Sequence, residues 1–178
     1  MSLEWNIHYE GWMIEDGLPN RTVGEDFEWE IEFWTSNPSL EKSIKKIKTA
    51  IPLADYKYQI VARLSQFSAE ACVIDFGLKA IGNFKLVPAG CKEGEYLRGE
   101  IKLGLSDGSR AISSSETRNS LRRKWHVNAI QADVTPYIAH PQKPRVFIRD
   151  ESQIQFKSIW STAEIKAHTY ILHCSETL

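Results

Sequence analysis

The segment GEDFEWEIEFW, residues 24 to 34, alternates apolar and acidic side chains residue by residue, and that period of two is the signature of a half-buried β-strand. Phe27, Trp29, Ile31 and Phe33 fall on one side, and Glu28, Glu30 and Glu32 on the other. The same period recurs along most of the chain. Residues 4–13 place Trp5, Ile7 and Tyr9 opposite Asn6, His8 and Glu10, and the two segments read as a wide hairpin around the turn-rich DGLPNRTVGED. DYKYQIVARLS (55–65) and EYLRGEIKLGLS (95–106) also alternate. EACVIDFGLKAIG (70–82) is an almost unbroken apolar run of the kind buried on both faces. Gly99 and Gly104 mark a bend, a bulge or a close backbone approach in the 95–106 strand. RRKWHVNAIQADVTPYI, VFIRD, QIQFKSIWS and TYILHCS complete the strand set, with a short helical turn expected in 161–168.

One helix breaks this pattern, at about 38–51. Asn37 suits an N-cap and Pro38 the first helical position, Leu40, Ile44, Ile47 and Ile51 recur on one helical face, and Pro52 ends the run. Repeated crossover helices, which parallel winding requires, are not visible. The expectation is a mostly β, single-domain protein of residues 1–178. It closes as an antiparallel barrel, of OB type among the candidates, or as a two-layer sandwich. The polar, serine-rich stretch at about 106–120 reads as an exposed loop.

Net charge over 178 residues is −1, which predicts neither nucleic-acid nor membrane affinity for the whole molecule. Its distribution is uneven. Residues 1–35 carry nine acids against the single base Arg21, whereas residues 42–48 hold four lysines. Three cysteines, Cys72, Cys91 and Cys174, are odd in number and lack paired spacing, which argues for reduced thiols and a cytoplasmic setting. Of these, Cys91 beside Lys92 is the one to test for a lowered pKa. No signal segment or bilayer-length apolar run is present in the sequence as read.

Motifs for chemistry are sparse. Metal-ligand spacing, nucleophile elbows and phosphate loops are absent from the sequence, so no cofactor or metal is expected. Three functional readings remain. The first is a non-catalytic protein-binding module of the immunity or inhibitor type. It presents Glu10, Asp16, Glu28, Glu30 and Glu32 as an acidic face to a basic protein partner, whose approach such a field accelerates. The second is a single-stranded nucleic-acid binder using Arg118, Arg122, Arg123 and Lys124 before Trp125. The third is a small enzyme in which Asp75, a carboxylate within an apolar run, meets His8 or His126 in a pocket.

Overall fold

The computed structural model describes residues 4–35, 40–68, 70–108 and 121–177. The strands are β1 (Glu4–Glu10), β2 (Asp26–Trp29), β3 (Ile31–Trp34), β4 (Glu41–Lys42), β5 (Thr49–Pro52), β6 (Lys57–Phe67), β7 (Ala71–Asp75) and β8 (Lys79–Asn83). They continue with β9 (Tyr96–Leu105), β10 (Arg123–Asp133), β11 (Tyr137–Ala139), β12 (Phe147–Arg149), β13 (Phe156–Ile159) and β14 (Thr169–Thr177). A short α-helix, α1, spans Gly11–Glu15.

Alternation builds the core directly. In β6, Tyr58, Ile60, Ala62 and Leu64 are buried while Gln59 and Arg63 are exposed. In β1, Trp5, Ile7 and Tyr9 point inward, as their spacing predicts. The apolar run at β7 is buried on both faces, as expected. Cys72 and Ile74 join the main core, and Ala71 and Val73 pack with Ile81 and Leu121 in a second cluster outside it.

Five strands close into a barrel. β6 pairs antiparallel with β7, β7 with β8, β3 with β9, and β9 with β6, while the β3–β8 contact is parallel. The barrel is therefore mixed rather than antiparallel. Taken as β6, β7, β8, β9, β3, its pairing order is that of an OB-type barrel, with the strand that would come last encoded first. A second set of pairings runs from β9 through β1, β14 and β10 to β2. Because β2 and β3 are joined through Glu30 alone, this path returns to the same stretch of chain.

Three local expectations are corrected. The segment at 38–51 is not a helix where described: β4 pairs with β9, β5 pairs with β6, and a loop joins them. Leu40 is 2% exposed but Ile44 is 97%, Ile47 75% and Ile51 58% exposed, so no surface covers the face a helix would bury. A short lysine-rich helix without such packing is marginal in water. Second, β1 does not form a hairpin with β2 or β3; it pairs with β14 along its whole length and touches β9 at Gly104. Third, residues 161–168 form turns and bends, and the short helix lies at Gly11–Glu15 instead. Of the loop expected at 106–120, residues 109–120 lie outside the described residues.

Candidate functional site

The outer wall where β1, β9 and β3 meet gathers a histidine, three acids and two indoles. Gly104 of β9 is in register with His8 of the parallel β1 on one side and with Glu32 of β3 on the other. A side chain at Gly104 would meet the Trp34 ring at 2.8 Å and the His8 carbonyl oxygen at 3.1 Å, so glycine is what lets the indole lie against the strand. Strand parity sends His8 and Glu10, and Glu32 and Trp34, to this same face. Trp12 and Met13 from α1, and Leu105 and Asp107 from the end of β9, complete a recess of about 200 Å³.

His8 stands in the wall of this recess. Its ring packs on Tyr56 at 4.4 Å and on Trp34 at 5.5 Å between centroids. Its Nε2 meets the Thr169 hydroxyl at 3.3 Å, and its Nδ1 is 3.6 Å from a Glu10 carboxylate oxygen. Burial, aided by the Lys102 charge and opposed by Asp133, pushes its pKa down to about 4. The ring is thus neutral at pH 7 and does not cancel the Glu10 charge. Burial also holds the Glu10 carboxyl above its ordinary range, partly offset by His168.

Two further recesses flank this one. One of about 230 Å³ shares Asp107 and is otherwise lined by Trp29, Glu30, Ser106, Gly108 and Arg122. The other, of about 250 Å³, includes Tyr56, Lys102, Asp133, Arg149 and Thr169. Its arginine is tied to Asp133 at 2.8 Å and to Glu151 at 3.2 Å.

The five acids proposed to bind a partner divide. Glu10 and Glu32 converge on the recess. Asp16 is exposed just beyond α1. Glu28 is exposed and lies opposite Lys124 across the β2–β10 ladder. Glu30, between β2 and β3, is 7% exposed and stands 3.9 Å from Arg122, and its carbonyl accepts a hydrogen bond from the Ser106 N–H. The three glutamates are therefore not one continuous row: the chain bends at Glu30 and turns it inward. Elsewhere in the amino-terminal third, Glu15 meets Lys166 at 2.7 Å and Glu25 meets Arg21 at 3.2 Å.

The basic cluster is similarly engaged. Arg123 pairs with Glu176 at 3.2 Å, Arg122 approaches Glu30, Lys124 faces Glu28, and Trp125 is fully buried. Arg118 lies outside the described residues. His126 binds Asp26 at 2.7 Å, and Asp75 binds Lys48 at 2.6 Å and the Gly77 N–H. Burial raises the Asp75 pKa, but these hydrogen bonds and the lysine charges outweigh it and the net shift is downward. Neither His126 nor Asp75 lines a recess that contains His8. Cys91, the thiol singled out for a pKa test, is buried, and burial raises its pKa rather than lowering it. Among the described residues no group of three or more His, Cys, Asp and Glu is disposed to hold a metal.

Sequence reasoning missed Trp12, Trp34 and Asp107. A signal for Trp34 was present: two residues after Glu32, it shares the parity of the glutamates rather than of the core, and an indole on a polar face is a binding cue. No protein-family model, curated protein or solved structure matches the chain.

Proposed function

We propose that the protein is a non-catalytic binding module that captures a basic protein by seating a cationic side chain in the recess between Trp12 and Trp34. The observation that carries this reading is the convergence of Glu10, Glu32 and Asp107 with two indoles around a neutral histidine. Carboxylates attract the cation, ring faces complement it, and a partly desolvated setting strengthens both effects. An immunity- or inhibitor-type protein is a module of this kind. We assign it to the cytoplasm, where its three buried thiols, none of them in a disulfide, would stay reduced.

Acid–base catalysis at His8 is the weaker reading. Although Thr169 and Glu10 flank the ring, a histidine with a pKa near 4 accepts a proton poorly at neutral pH. The nucleic-acid reading is weaker still, because Arg122, Arg123 and Lys124 each face a carboxylate of the same chain.

Titration of the tryptophan fluorescence with arginine- and lysine-rich peptides tests the proposal. Binding is expected to weaken roughly tenfold in Glu10→Gln and in Glu32→Gln, and to weaken with added salt. Peptide affinity unchanged in both variants would overturn it, as would tighter binding to an oligonucleotide than to any peptide.

A further inference from the structure

The loop between β4 and β5 holds the most exposed aliphatic side chains among the described residues. Ile44 is 97% exposed and Ile47 75%, and Ile51 and Leu53 follow at 58% and 50% along the edge strand. The stems of this loop are fastened. Lys42 pairs with Glu95 at 3.3 Å and Lys48 with Asp75 at 2.6 Å. The Ser43 N–H donates to the Tyr96 carbonyl, while the Ser43 hydroxyl accepts from the Lys45 N–H. The exposure of the isoleucines is thus set by an anchored turn rather than by a loose end.

At the tip the charge is of one sign. Lys45 and Lys46 sit between the two isoleucines, both are exposed, and neither makes an ion pair among the described residues. Apolar tips interleaved with cations are complementary to a surface that is anionic outside and apolar a few ångströms below. A bilayer takes protruding aliphatic side chains without a matched cavity. An acidic protein would need preformed holes for two branched residues on a narrow loop.

We propose that the loop at residues 43–48 is a docking surface for an anionic lipid bilayer, with Ile44 and Ile47 entering the interfacial layer and Lys45 and Lys46 meeting the headgroups. It does not depend on the recess. β4 joins β9 at Leu97 and Arg98, whereas the recess lies at Gly104, about 20 Å further along the strand at the usual rise per residue. The net charge of −1 conceals the loop because the acids lie elsewhere in the chain.

The experiment is co-sedimentation of the full chain with vesicles of phosphatidylcholine alone and with vesicles containing phosphatidylglycerol. Preferential binding to the anionic vesicles is expected. Partitioning should fall roughly tenfold or more in Lys45→Glu/Lys46→Glu and also in Ile44→Ser/Ile47→Ser. All four positions are exposed, so the variants should keep the parent's circular dichroism and its recess binding to basic peptides. Failure of the parent to bind anionic vesicles overturns the proposal. So does full retention of binding by Ile44→Ser/Ile47→Ser, which would leave charge alone at work.

Discussion

His8 is the residue whose chemistry is most altered by its surroundings. Its folded-state pKa of about 4 lies below the ordinary 6.5, so between those values the unfolded chain binds a proton that the folded chain refuses. Stability contributed by the neutral ring is fully present above pH 6.5 and is lost as pH falls toward 4, by on the order of 3 kcal/mol. Glu10 acts with the opposite sign, because its raised pKa makes its charge a burden at neutral pH that acid relieves. Urea titrations at pH 7.5 and 4.5 should therefore show a smaller acid loss in His8→Gln than in the parent. Glu10→Gln should be at least as stable as the parent at pH 7.5 while binding basic peptides less well, the trade expected of a group kept for recognition. Gly104→Ala places a methyl 2.8 Å from the Trp34 ring and 3.1 Å from the His8 carbonyl oxygen. The oxygen belongs to a paired strand and cannot yield freely, so a loss of about 1–3 kcal/mol in urea denaturation is expected.

At the scale of elements, the strands were readable and the helix was not. Period-two burial in β1 and β6 follows from the pleat, which any half-buried strand must obey. The segment at 38–51 has a period suited to a helix, but periodicity does not report whether a partner surface exists. Here only Leu40 found one. A peptide spanning residues 38–52 should accordingly gain helix in trifluoroethanol, where tertiary contacts no longer matter. The far-UV spectrum of the intact protein should stay dominated by strand, and a peptide that remains unstructured would show the pattern to be incidental. The break at Glu30 was equally hidden, because alternation is the same in a straight strand and in one that bends to join two neighbours. Of the recess, Glu10 and Glu32 were named from charge alone. Their meeting with Trp12, Trp34 and Asp107 depends on β1 lying beside β9, a contact to which Gly104, a mark of close backbone approach, is the local pointer, without saying which strand approaches.

Over the whole molecule, β9 is the common member: β3, β4, β6 and β1 all pair with it. A fault there should be felt throughout. Leu103 of β9 is fully buried, and Leu103→Ala should cost about 2–5 kcal/mol and shift fluorescence and circular dichroism transitions together. The pairing of β1 with β14 has a consequence for the order of events during synthesis. His8 and Thr169, which touch across that ladder, are 161 residues apart in the chain. The strands β6 to β9 and their partner β3 can assemble while β1 still has its long edge unpaired, since the segment that covers it is made much later. The carboxylate recess draws on both β1 and β9, so a nascent chain that has already closed its barrel should still be unable to hold a cationic partner until β14 arrives to fix β1 in place.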